Sequence, residues 1–468
     1  MSKVWFITGT STGLGRTLAE EVVRRGERLV ATVRKEGTNS DLVEQAPWRV
    51  KILTTPDLAG SPIWKETQPK SELSWFGAMP EGVNPQQFSL RATGRFTPQE
   101  AGPYTFGLIS IGRSRLFIDG QQVIENWTEQ TQGGDFLGMG GTELQTTMTL
   151  EAGRTYLLTI EFAKGEAVPL GAVHLGCLPP VPADAIERAA ALAAVSDVAI
   201  VCVGFGGDWQ SEGFDRKSLA LPGKQDTLIE QVAAANPRTI VVLNTGSPIT
   251  MPWLAQVAAV VQAWYPGQEC GNAIADVLFG DTNPSGKLPQ TFPQRLEDTP
   301  TYLDFPGENG KVYYGEGLFA GHRYYEKKNV APLFPFGFGL SYTTFSYSSL
   351  RLGAQEISPD ETVQVAIDIT NTGQRTGKEI VQVYVRDEQT SLGRPEKELK
   401  AFSKVRLEPG ERKTVTLSLG RDALAYYDDL AHEWVAEAGE FEVLVGASSQ
   451  DIRARATFIL TGTVRWPT

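Results

Sequence analysis

The run Asp197-Val-Ala-Ile-Val-Cys-Val-Gly204 constrains this chain more than any other stretch. Its unbroken apolar residues, mostly β-branched and bounded by Asp and Gly, do not suit a sheet with one wet face. They predict a strand of a parallel sheet covered on both sides. Such a sheet needs helical crossovers, and the sequence supplies them. Helix patterns cover 184–195, 224–235 and 268–279, and strand patterns cover 197–203, 239–244 and 257–264. Strands alternating with helices give right-handed parallel connections. In open sheets of this kind ligands bind beyond the carboxyl ends of the strands, so the loop 204–223 is where function is expected.

Glu212 stands at the centre of that loop, in Trp209-Gln-Ser-Glu-Gly-Phe-Asp-Arg216. Trp209 and Phe214 offer apolar surface and Asp208 and Asp215 add like charge, both of which favour a protonated carboxyl; Arg216 pulls the other way. A neutral carboxylic acid against an aromatic wall is suited to protonating a leaving oxygen. The alternative is a solvated glutamate ion-paired to Arg216.

Four further stretches accompany this one: Leu221-Pro-Gly-Lys-Gln225, Gln262-Ala-Trp-Tyr-Pro-Gly-Gln-Glu269, Asn283-Pro-Ser-Gly-Lys-Leu-Pro289 and Pro335-Phe-Gly-Phe-Gly-Leu-Ser-Tyr342. Together they resemble the carboxyl-terminal part of glycoside hydrolase family 3 β-glucosidases over most of the chain. The resemblance implies Glu212 as general acid/base, with Trp209, Asp215 and Arg216 contacting the sugar. Many relatives carry a second Glu two residues earlier, where this chain has Gln210. The implied partners are β-glucosides or oligosaccharides, hydrolysed with retention at the terminal β-D-glucosyl residue without a cofactor. His322, where relatives often have Tyr, reads as a packing or hydrogen-bonding residue.

The amino terminus has another pattern. A strand at 4–7, an amphipathic helix through Leu18, Ala19, Val22 and Val23, and a strand at 29–33 enclose Thr8-Gly9-Thr10-Ser11-Thr12-Gly13-Leu14-Gly15. Glycines so spaced let backbone amides approach a pyrophosphate, and the pattern resembles the short-chain dehydrogenase/reductase family, with Arg34 suggesting NADP. The rest of such a sheet does not follow. That family's Tyr-x-x-x-Lys occurs only at Tyr324 to Lys328, inside the glycosidase-like region. Gly9, Gly13, Gly15 and Arg34 therefore read as vestigial, and the strands they flank are candidates to fill the upstream part of the parallel sheet.

The organisation expected is multidomain α/β plus all-β. A dehydrogenase-like β-α-β fragment spans 1–45 and a polar junction 46–60. A β-sandwich at 61–176 resembles the protective-antigen-type module that some family 3 β-glucosidases carry; Trp75 and Trp127 are read as packing residues, with a sugar subsite as the alternative. A partial parallel α/β sheet occupies 177–345 and a fibronectin type III-like β-sandwich 346–468. Asp119-Gly120 between alternating runs predicts a hairpin. The net charge of −12, from 55 acidic and 43 basic residues, argues against nucleic acid. Three cysteines and three histidines show no disulfide or metal-ligand spacing. No run reaches membrane-spanning length and the first apolar run is short for a leader, so a cytoplasmic location is expected. Asn126-Trp-Thr128 fits a glycosylation acceptor.

In family 3 enzymes an Asp on an amino-terminal (β/α)8 barrel attacks the anomeric carbon. That fold takes about 250 residues. Ser-Asp-Trp, the family's nucleophile motif, does not occur; the two Ser-Asp pairs continue with Leu42 and Val198. The expectation is one of two carboxylates, hence a chain inactive alone. Two other readings stand beside it: a non-catalytic carbohydrate-binding protein and an NADP-dependent oxidoreductase fragment.

Overall fold

A computed structural model describes the chain except residues 1–2, 9–12, 32–46, 56, 77–78, 134–135, 137–138, 165–169, 207–208, 211, 213–214 and 468. Two compact units form. Residues 1–217, 221–246 and 252–272 make the first; 218–220, 247–251 and 273–468 make the second.

Within the first unit the parallel sheet is built from β1 (Val4–Ile7), β2 (Arg28–Ala31), β3 (Val198–Gly204), β4 (Thr239–Asn244) and β5 (Ala259–Gln262), in the order β5-β4-β3-β1-β2. The amino-terminal strands thus enter the sheet: β1 pairs in parallel with β3, placing Trp5 opposite Val198 and Ile7 opposite Ile200. The contact is reinforced at both ends. Val4 N donates to the Asp197 carboxylate at 2.7 Å, and Cys202 N donates to Thr8 Oγ1 at 2.9 Å. Consecutive residues Phe6-Ile7, Ile200-Val201 and Val241-Val242-Leu243 are all fully buried, so both sheet faces are covered. Helix α1 (Gly13–Arg24) packs on β1 and β2 and α3 (Gln225–Ala235) on β3 and β4, while α2 (Ala185–Ala194) precedes β3 in the chain. Helices α2 and α3 pack together. Thr17 of α1 lies against Gly271, where a Cβ would collide with it.

The first unit also holds a two-sheet sandwich. One sheet runs 144–150, 102–111, 170–178, 72–76; the other runs 64–68, 48–53, 89–96, 156–163, 113–118, 121–126. Their inner faces share one core around Trp48, Phe106, Leu108, Leu158, Phe162 and Val173. Asp119 and Gly120 turn the expected hairpin at φ 50° and 82°. The reading of 46–60 as a junction is corrected in its first half. Trp48–Leu53 is a strand whose alternate side chains, Trp48, Val50 and Ile52, enter the core. Asn126 is no glycan acceptor in this fold, because its buried amide donates to Ser110 and Ser114.

The carboxyl-terminal unit is a second two-sheet sandwich. Strands 345–352, 363–371 and 412–419 face 356–357, 452–460, 439–446, 377–387 and 398–407 across a core of Val365, Ile367, Val383, Phe441 and Phe458. Residues 273–345, read from sequence with the α/β domain, fall in this unit.

Candidate functional site

The strand order β5-β4-β3-β1-β2 reverses direction between β1 and β3. Connections on either side of that point leave in opposite senses, and in open parallel sheets ligands bind beyond the strands' carboxyl ends at such a point. Glu212 lies on the loop that leaves β3 at this edge and is exposed to solvent.

The loop is tied down by backbone and amide contacts. Trp209 N and Gln210 N both donate to Gly206 O, at 3.0 and 3.3 Å, which coils its first turn. Gln225, at the start of α3, clamps Gly204 from both sides: its Oε1 accepts from Gly204 N at 2.8 Å and its Nε2 donates to Gly204 O at 3.0 Å. Gln210 ties the loop to its neighbours. Its Oε1 accepts from Gly246 N, after β4, at 2.9 Å and from Tyr265 Oη, after β5, at 2.5 Å. Any side chain at Gly246 would run into Tyr265 and Gln210, so only glycine admits this closure. Loops from three adjacent strands therefore meet on one amide, two residues before Glu212.

Of the four residues read as the site, Glu212, Trp209 and Asp215 are exposed and Arg216 is half-buried. The Arg216 guanidinium lies 4.3 Å from the centre of the Phe205 ring, and burial lowers its pKa from the ordinary value while Tyr265 works against that. Trp209, one of the two aromatic residues expected beside Glu212, is 51% exposed. Asp208 and Phe214 lie outside the described residues, as do Gly9 and Arg34. Gly13 and Gly15 belong to α1, which follows β1, the ladder partner of β3.

Gln225, Gly246 and Tyr265 were not singled out from the sequence. Each belongs to a different βα or αβ junction, and only the sheet order brings them together. The signal available was Gln210, an amide at a position where relatives carry a carboxylate.

The two tryptophans weighed as a sugar subsite are engaged in packing. Trp75 meets Phe88 edge-on at 5.5 Å, and Trp127 takes the Arg115 guanidinium at 4.6 Å. Cys177 and Cys202 are not nucleophiles at neutral pH, because burial pushes both thiols up to about 12. A cavity of about 510 Å³ in the second unit is lined by Tyr325, Glu326, Arg386, Lys397 and Arg455. No residue of the Glu212 loop lines it, and Tyr325 is too buried to offer its face to a sugar.

His322 packs as expected. It stacks on Phe336 at 4.7 Å and meets Tyr384 edge-on, and burial, helped by Arg323 and Lys397, pushes it down to about 4. The unfolded imidazole takes a proton below its ordinary value of 6.5, the folded one only near 4. Across that window the unfolded chain binds more protons, so stability is full above 6.5 and falls as the pH drops. A shift of this size is worth about 3 kcal/mol. Urea unfolding near the two ends of the window should show that much more loss in the parent than in His322→Phe, which keeps the stack; equal losses would remove His322 as the cause.

The chain is similar to known proteins. The glycosyl hydrolase family 3 C-terminal domain matches residues 113–342, and a fibronectin type III-like domain matches 379–449. A β-glucosidase of Rhizobium radiobacter is 42% identical over 407 residues, covering 85% of this chain and 50% of that protein. The crystal structure of a β-glucosidase from Kluyveromyces marxianus in complex with glucose superposes with a TM-score of 0.90 at 34% identity, covering 99% of this chain and 59% of that one. β-Glucosidase 3B of Thermotoga neapolitana, also in complex with glucose, gives 0.57 at 39% identity over 62% of this chain and 41% of its own. The chain spans about half the length of the curated relatives it matches.

Proposed function

We propose, from the premise that this chain carries the carboxyl-terminal domain of glycosyl hydrolase family 3 with a fibronectin type III-like domain behind it, that it holds the proton-transfer side of a retaining β-glucosidase site. Glu212 is the general acid/base. As acid it protonates the glycosidic oxygen while the aglycone leaves; as the resulting base it takes a proton from the water that releases glucose. Trp209, Asp215 and Arg216 contact the sugar on the same side. The observation that carries this reading is the placement of Glu212. It stands exposed beyond the carboxyl edge of β3, on a loop that Gln210 pins to Gly246 and Tyr265. The glucose complexes of the K. marxianus and T. neapolitana enzymes support a sugar ligand.

Retention needs a second carboxylate about 5–5.5 Å from the first, on the opposite face of the sugar. Asp215 shares the loop of Glu212 and therefore its side. The residues of this chain are thus proposed to supply one half of the chemistry and no glycosyl-enzyme. We read 48–178 as the protective-antigen-type module and the amino-terminal β-α-β as sheet architecture with no nucleotide site.

Titrations of glucose and NADPH against the purified chain test the reading together. Glucose should bind in the millimolar range, about −4 kcal/mol, and about tenfold more weakly in Trp209→Ala. NADPH should not bind. Micromolar NADPH affinity abolished by Gly13→Asp would replace this reading with the oxidoreductase one.

A further inference from the structure

The cavity of about 510 Å³ in the second unit lies between the short helix His322–Lys328 and the five-stranded sheet. Strand pairing fixes one wall of it. Arg386 stands opposite Glu442 and Arg455 opposite Leu444, so these four side chains leave the same face of the sheet. The helix supplies the other wall through Glu326, whose side chain is only 8% exposed. Lys397 Nζ ion-pairs with its Oε1 at 2.7 Å, while Oε2 has no hydrogen-bond partner among the described residues. A buried carboxyl oxygen left without a partner is costly. Burial pushes the Glu326 pKa up, against the pull of Lys397 and the Ser449 hydroxyl. The Arg386 guanidinium is underused as well. It meets Glu388 only at 3.5 Å and Glu396 only at 3.9 Å, longer than ordinary hydrogen bonds.

These two groups select a kind of ligand. Each lining cation already faces carboxylates: Lys397 has Glu326, Arg455 is held by Glu442 at 3.0 and 3.3 Å, and Arg386 has Glu388 and Glu396. An anion at Arg386 would meet those two carboxylates, and an ammonium at Glu326 would meet Lys397. What both walls lack is hydrogen bonding, not charge. A hydroxyl suits both, because it donates and accepts and so serves Glu326 Oε2 with the carboxyl ionised or protonated. The volume is that of a small-molecule site, and Leu444 and Val330 offer apolar surface to the C–H side of such a ligand. Tyr325 is buried in the wall, so the ligand is held by its hydroxyls and not by stacking.

We infer that this cavity is a binding site for a neutral, hydroxyl-rich ligand of monosaccharide size, with Glu326 and Arg386 each hydrogen-bonded to a hydroxyl. None of its lining residues belongs to the Glu212 loop, and it stands whether or not that loop binds sugar.

The test uses the full chain, with D-glucose as the probe and D-glucuronate and D-glucosamine as its anionic and cationic counterparts. Hydrogen exchange read by mass spectrometry locates binding, and its dependence on sugar concentration gives the affinity at this site. Saturating glucose should slow exchange in peptides covering 322–331, at lower concentration than either charged sugar. Arg386→Met and Glu326→Met should each weaken that effect about tenfold, the loss of one hydrogen bond to a charged group. Arg406→Met, at an arginine of the same unit outside the cavity, should leave it unchanged. If Glu326→Met does not fold, Arg386→Met decides alone, since that side chain is 39% exposed at the rim. No slowing at 322–331, slowing indifferent to Arg386→Met, or preference for glucuronate or glucosamine would each overturn the inference. Slowing confined to 204–223 would overturn it too, while leaving the reading of Glu212 in place.

Discussion

Incubated with a fluorinated glucosyl inactivator, the chain by itself is expected to keep its mass. Such reagents trap the glycosyl-enzyme, which forms only when a carboxylate attacks the anomeric carbon from the face opposite the acid/base. Glu212, proposed to protonate the departing oxygen from one side, cannot do both jobs. Asp215 stands three residues from Glu212 in the same loop and is proposed to share its side. Asp226 is occupied: its carboxylate accepts the Trp253 indole N–H at 2.7 Å. Among the described residues, neither Asp215 nor Asp226 is proposed as the attacking carboxylate. The effect is large, because losing a nucleophile removes several powers of ten from turnover. Mass spectrometry of the intact chain, then of its peptides, is the measurement. A stoichiometric adduct on any Asp or Glu would show that a second carboxylate had been overlooked and that these residues form a whole site.

Legibility in the sequence followed the range of the interaction. Val198–Gly204 was readable because a two-faced buried strand has to be apolar at every position. Asp119-Gly120 was readable because only a few residues accept left-handed conformations in succession. Trp48–Leu53 alternates in sequence as it does in the fold, but Pro47 before it and the polar 35–46 stretch made the region read as linker. The site divides the same way. The loop and its acid follow from one strand and its flanking motif. Gln210 bridging Gly246 and Tyr265 does not, since it needs β3, β4 and β5 set side by side. Exposure of Trp209 was equally hidden, because neighbours in sequence do not fix which way an aromatic side chain leaves a loop.

Phe6→Ala is expected to cost about 3–5 kcal/mol, a large part of the stability of an ordinary domain. The sequence of 1–34 resembles the start of a different enzyme family, which would suit a detachable appendage. The pairing of β1 says otherwise. It lies between β2 and β3, Phe6 is fully buried, and Thr8 carries the ladder one residue further by donating its N–H to Ile200 O and accepting from Cys202 N. Removing the ring opens a cavity beside β3, the strand from which the Glu212 loop departs. Val23→Ala on α1, where the side chain is 58% exposed, should change stability by about 0.5 kcal/mol or less. Urea unfolding followed by far-ultraviolet circular dichroism separates the two. If Phe6→Ala costs less than about 1 kcal/mol, the amino-terminal strands are only an attachment; at the expected cost, a segment that looks borrowed is part of the sheet that positions the acid.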